Sequence, residues 1–331
     1  MYRDKEGQKY VVCSGGIMKR LLVVLILTTM LAGCSSKTEE VDTIVKPDVV
    51  VEQSPKVVYD PAYLEFAEEY NKVLDYTVPC LRLLSEKDSE IEVGDSKIGG
   101  QPDMAVDQDW PFWKGAYHSF LAQVNLTQLP DSELTDLLPE TGMLYFFYDS
   151  EMRTWGDSKD DIGSYAIIYD DVDISHLETK PYPQKLSENY RYSSVKVNIV
   201  EEESFPPYEH DVYYSLSLSD GASDYYYDFV DSFNSEYSRN KLFGYADNIQ
   251  GDMRLSCVLR DNDLDWDDYR DVSESESQVY EKKQDEWILL YQQDSYEEMM
   301  WGDVGMLYFW IKKEDLINRD FDKVYFELQC Y

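Results

Sequence analysis

The segment Gly142-Met143-Leu144-Tyr145-Phe146-Phe147-Tyr148 returns late in the chain as Gly305-Met306-Leu307-Tyr308-Phe309-Trp310-Ile311. A short run of large apolar and aromatic side chains behind a glycine predicts a strand. Each copy follows a strand-like run carrying glutamine, Gln123 in FLAQVNL and Gln292 in ILLYQQD, and each precedes another strand-like run. Matched units predict an internal duplication that buries the two aromatic strands against each other or in equivalent cores. Chance similarity between two glycine-led apolar strands is the competing explanation.

Further strand-like runs are SYAIIYDD, SSVKVNIV, DVYYSLSL, EWILLYQQ and KVYFELQC, separated by Asp, Gly, Ser and Pro clusters. Few intervening stretches are long enough for helical crossovers, which favours antiparallel sheets. Upstream, Asp60-Pro61 is a helix start signal, Tyr63, Phe66, Ala67, Tyr70, Val73 and Leu74 share one helical face, and Pro79 closes the pattern. The predicted class is α+β, predominantly antiparallel β, with a duplicated β-unit and an N-terminal amphipathic helix. Hydrophobic residues at 43% and aromatics at 15% supply a core.

Asp and Glu number 66 against 30 Lys and Arg, a formal net charge of −36. Such a chain repels nucleic acid and anionic headgroups, so neither is an expected partner. Cationic ligands, metal ions and basic protein surfaces remain open, beside the simpler reading that the charge keeps the protein soluble.

An address is written in Met18 to Ser36, MKRLLVVLILTTMLAGCSS. Lys19 and Arg20 precede an apolar stretch too short to span a bilayer, the order of a secretory signal. Leu31-Ala32-Gly33-Cys34 resembles a bacterial lipobox, in which the cysteine is acylated and becomes the mature N-terminus. Two acyl chains suffice for a stable anchor. The expected organisation is an untranslated extension at 1–17, a signal peptide at 18–33, lipidation at Cys34, a flexible tether at 34–58 and one folded domain at 59–331. The expected location is the extracytoplasmic face of the cell membrane, with the bilayer as partner through acylated Cys34.

Candidate chemistry is sparse. Gly99 and Gly100, in Lys97-Ile98-Gly99-Gly100, would let backbone N–H groups approach an anion with Lys97 as counter-charge, or would simply make a tight turn. Gln250-Gly251-Asp252 and Trp301-Gly302-Asp303 each place a carboxylate after a glycine. Asp252 and Asp303 in one cleft, with Gln250 and Trp301 beside them, would hold a divalent cation or share acid–base work; as turn residues they would do neither. Gln123 and Gln292 complete the candidate set. The acidic stretch Asp261, Asp263, Asp265 has calcium-loop spacing, yet Trp266 stands where the glycine belongs and Val272 where the glutamate belongs, so a solvated loop is expected. His118, His176 and His210 are scattered, and no Gly-x-Ser-x-Gly elbow occurs. Tyr225, Tyr226, Tyr227, Phe229 and Phe233 form either a binding platform or a packed helix face.

Four segments, SKIGGQPDM at 96–104 with WPFW at 110–113, FLAQVNL to YFFYD at 120–149, LFGYADNIQGDM at 242–253, and 287–331, together resemble the YwqG-like family, the DUF1963 domain. The resemblance implies a mostly β, roll-like α+β domain with internal duplication, and it implies no activity. Two features depart from the family: the lipobox, and Ala246 where a proline is common. The expected function is a non-catalytic binding module for an unknown protein or small ligand, with no cofactor. The alternative is a carboxylate- or metal-dependent hydrolase centred on Asp252 and Asp303.

Overall fold

The computed structural model describes residues 61–87, 89–296 and 298–331, together with short strands at Tyr2–Arg3, Lys9–Val11 and Lys56–Val57 that pair with one another. The signal segment, Cys34 and nearly all of the tether lie outside the described residues. The chain divides into two compact units, one of residues 1–71 and 218–236, the other of 72–217 and 237–331.

The first unit holds most of helices α1 (Pro61–Leu74) and α2 (Asp220–Tyr237). Phe66 packs its ring against Tyr225, Tyr226 and Phe229 at centroid distances of 5.4, 6.1 and 5.0 Å. Most of the aromatic run is thus spent on helix packing. Tyr227 alone of the five is prominently exposed, at 60%.

The second unit is built on a ten-stranded sheet. In chain order its strands are β1 (Val78–Glu86), β2 (Lys97–Ile98), β4 (Ser119–Asn125), β5 (Met143–Tyr148), β6 (Tyr165–Asp170), β8 (Val195–Ser204), β9 (Lys241–Leu242), β10 (Trp287–Asp294), β11 (Met306–Lys312) and β12 (Tyr325–Gln329). Strands β3 (Asp103–Ala105) and β7 (Leu177–Thr179) pair separately. The order across the large sheet is β6-β5-β4-β2-β8-β1-β9-β10-β11-β12, every neighbouring pair antiparallel. It reads the same from either end once β8 and β1 exchange roles. The registers agree: Lys97 lies opposite Lys196 and Lys241 opposite Arg82, and the exchange that carries Lys196 onto Arg82 carries Asn198 onto Leu84, its own partner in the β8–β1 ladder.

The sheet folds over on itself. Leu144, Phe146 and Tyr148 of β5 share one apolar cluster with Leu307, Phe309 and Ile311 of β11, and Phe146 meets Tyr291 and Phe309 at 4.3 and 5.7 Å. The other face of β5 packs Tyr145 and Phe147 with Phe120. The other face of β11 packs Tyr308 and Trp310 with Met253, Cys257 and Val258, the latter two on helix α3 (Arg254–Asp261). Burial on both faces is why the repeated strands are apolar throughout. The outer strands are tied across the fold, as the Tyr165 hydroxyl donates to Val324 O at 2.6 Å and Leu328 N to Trp155 O at 2.9 Å.

Two local expectations need correction. DVYYSLSL begins as a short helix, Asp211–Ser215, not a strand: His210 Nδ1 accepts from Val212 N at 3.2 Å and caps it, and Tyr213 turns inward while Tyr214 is exposed. The acidic stretch after Asp261 folds into a helix at Trp266–Arg270, started by a reciprocal cap between Asp265 and Asp268.

Candidate functional site

Two equivalent polar clusters lie inside the second unit. In one, Lys97 Nζ donates to Asp103 Oδ2 at 2.7 Å. Gln123 Nε2 donates to the same oxygen at 2.9 Å, Gln123 Oε1 accepts from Asp103 N at 2.8 Å, and the Tyr145 hydroxyl donates to Asp103 O. In the other, Lys241 Nζ donates to Asp247 Oδ1 at 2.9 Å. Gln292 spans Asp247 Oδ2 and Asp247 N, both at 2.8 Å, and the Tyr308 hydroxyl donates to Asp247 O at 2.6 Å. Lys97 lies opposite Gln123 in the ladder and Lys241 opposite Gln292.

The turns between each lysine and aspartate match as well. Gly99 and Gly100 have φ of 68° and 76°, Phe243 and Gly244 have 62° and 75°. A left-handed residue other than glycine costs about 1–2 kcal/mol. Burial of the Phe243 ring, at about 1.5–3 kcal/mol, offsets that cost.

All four amide and ammonium groups are buried, and both glutamine amides are fully engaged, Gln123 Nε2 also donating to Asp95 O and Gln292 Nε2 to Arg239 O. Gly99 N donates to Leu121 O at 2.8 Å and Gly100 N to Tyr192 O at 2.9 Å, so these N–H groups are spent on the fold. Lys97, Gln123 and Gln292 therefore act as internal posts. Burial pushes the Lys241 ammonium down, whereas Asp247 is held low by Lys241, Arg239 and Arg82 against its own burial. For Asp103 likewise, burial works upward and hydrogen bonds from Lys97 and Thr179 win, leaving its carboxyl below the ordinary range. Both aspartates are ionised partners of the buried lysines.

Asp252 and Asp303 have different surroundings. Asp252 is forked by Arg254, with Nη2–Oδ2 at 2.6 Å and Nε–Oδ2 at 2.9 Å, and Arg254 reaches Asp285 at 3.4 Å. Gln250 is exposed, and its backbone N–H donates to Gln329 Oε1 at 3.0 Å. Asp303 is exposed on another turn, where its carbonyl accepts from Tyr331 N at 3.1 Å. Among the described residues, no group of three or more His, Cys, Asp or Glu is placed to hold a metal ion.

Gly99, Gly100 and Trp301 each touch the segment 192–194, which lines a pocket of about 210 Å³ together with Lys87, Ile98, Val195, Tyr296, Glu298 and Met299. A Cβ on Gly99 would strike Ser193 O, and one on Gly100 would come 2.6 Å from Ser194 Cβ, so the glycines let β2 lie directly under this wall. Trp301 is buried with its ring edge-on to Tyr192 at 5.8 Å, and its Nε1 donates to Asp294 O at 3.1 Å. Glu298 Oε2 accepts from Ser193 N at 2.9 Å and Ser193 Oγ at 3.0 Å, fixing Glu298 against the segment that leads into β8. Burial pushes the Tyr192 phenol up, and the nearby hydroxyls of Ser150 and Ser119 moderate the rise. The lining segment Tyr-Ser-Ser-Val carries no chemical signature, which is why sequence reading found the backing residues and missed the wall. A larger hollow of about 730 Å³, edged by Asp131, Asp136, Glu140, Asp171 and Arg319, touches none of the candidates.

A folded-over antiparallel sheet with mirrored lysine–aspartate–glutamine posts and a small pocket beside one of them defines the class of this protein. The chain belongs to the DUF1963 family, described as a domain of unknown function, whose model matches residues 96–330. Comparison with curated proteins returns no match.

Removing one member of a buried pair strands the other. Lys97→Met and Lys241→Met should each cost about 3–5 kcal/mol in urea unfolding. A loss below about 1 kcal/mol in both variants would show that the posts carry no weight.

Burial raises the Asp294 carboxyl to about 6, partly opposed by Arg239. The folded state then holds this proton more tightly than the unfolded chain, whose aspartates titrate near 3.9. Its contribution is present below about pH 4 and is lost as pH rises to about 6. Between pH 4 and 7 Asp294→Asn should gain about 1–2 kcal/mol on the wild type. Parallel stability profiles for the two proteins would contradict the assignment.

Proposed function

We propose that this protein is a lipid-anchored extracytoplasmic binding module, whose DUF1963 domain takes a small ligand into the pocket walled by Tyr192 to Val195 and Glu298 without transforming it. The observation that carries the binding reading is the set of polar groups left uncommitted there. Among the described residues, Lys87 Nζ, Ser194 Oγ and Glu298 Oε1 make no hydrogen bond or ion pair. Convergent polar groups beside the apolar surface of Ile98, Val195 and Met299 are the ordinary make-up of a ligand site.

The grip of Arg254 on both oxygens of Asp252 favours binding over hydrolysis, because the guanidinium occupies the positions that a metal ion or a substrate would need. We further propose that the two halves of the sheet descend from one duplicated unit. The matching strand order, ladder registers, turn dihedrals and lysine–aspartate–glutamine–tyrosine bonds support this reading.

The lipidation reading rests on the ordered signal ending at Cys34. In cells fed labelled palmitate, the wild type should carry label and sediment with membranes, and Cys34→Ala should lose the label. An unlabelled, soluble wild type would refute the anchor.

A further inference from the structure

The chemistry of the pocket narrows its ligand, granted the binding reading above. Lys87 and Glu298 bring full charges of opposite sign to one small cavity. Ser193 holds Glu298 by Oε2 through its N–H and its hydroxyl, which pre-orients the carboxylate and leaves Oε1 for a guest. A neutral guest would displace water from both charges and return one-sided ion–dipole hydrogen bonds, whereas a zwitterion returns an ion pair to each. At about 210 Å³ the pocket is smaller than drug-sized sites of roughly 300–1,000 Å³ and suits one small metabolite.

Ile98, Val195 and Met299 line the same cavity and supply apolar contact beyond the charged pair. Ser194 Oγ stands beside them as a second donor. We propose that the pocket binds a free α-amino acid with an apolar side chain. Its ammonium group lies on Glu298 Oε1, its carboxylate on Lys87 Nζ and Ser194 Oγ, and its side chain on Ile98, Val195 and Met299.

The test uses the full chain in detergent, with ¹³C-methyl methionine so that Met299 reports occupancy of the pocket while calorimetry gives affinity. Leucine, leucinamide, N-acetyl-leucine and glucose are titrated separately. Leucine should shift the Met299 methyl, and leucinamide and N-acetyl-leucine should each bind at least about tenfold more weakly, having lost one ion pair. In Lys87→Met the difference between leucine and its amide should vanish, and in Glu298→Gln that between leucine and its N-acetyl form. Each comparison is made within one variant, so a general loss of stability cannot imitate it. Glucose shifting Met299 where leucine does not would overturn the ligand class and leave the pocket standing. Equal binding of all three leucine compounds would also overturn it. A Met299 methyl unmoved by these compounds and by a mixed panel of sugars, amines and carboxylates would overturn the pocket reading as well.

Discussion

The buried lysine–aspartate pair, clasped by a glutamine from the next strand, is the constraint on which the second unit depends. Lys97 and Lys241 are buried at the middle of the sheet, where an ammonium group persists only with a partner and with its remaining bonds satisfied. Each aspartate supplies that partner from six residues on, which forces the chain through a tight left-handed turn. Each glutamine reads both the carboxylate and the backbone N–H of that aspartate. One side chain thereby fixes strand, turn and following segment together, and the register of β4 and β10 follows.

The pocket is a consequence of the first of these turns. Gly99 and Gly100 let Ser193 and Ser194 approach β2, whereas the turn after Lys241 has Phe243 in place of one glycine, and its ring is buried in the core. Glu298, bonded to Ser193 across the cavity, comes from the β10–β11 connection, so both halves of the sheet contribute to the site.

The strands were legible because double-sided burial writes itself as continuous apolar runs, most clearly in Met143–Tyr148 and Met306–Lys312. The lysine–aspartate spacing shared by SKIGGQPD and NKLFGYAD went unread, and Lys97, Gln123 and Gln292 read as ligand groups because a sequence does not show whether a polar side chain spends its bonds internally. Helices at Asp211–Ser215 and Trp266–Arg270 were hidden for a different reason: they are single turns set by caps from His210 and Asp265, too short to leave a periodic signal. The pocket wall at Tyr192–Val195 had no signature at all, since its meaning lies in what crosses over it.

Amide hydrogen exchange at Asp103 and Asp247 tests the central claim most directly, because both N–H groups donate to the clasping glutamines. If the posts organise the unit, both amides exchange only through its global unfolding and report the same opening free energy. Exchange of either amide by local opening several kcal/mol below the global value would contradict the account.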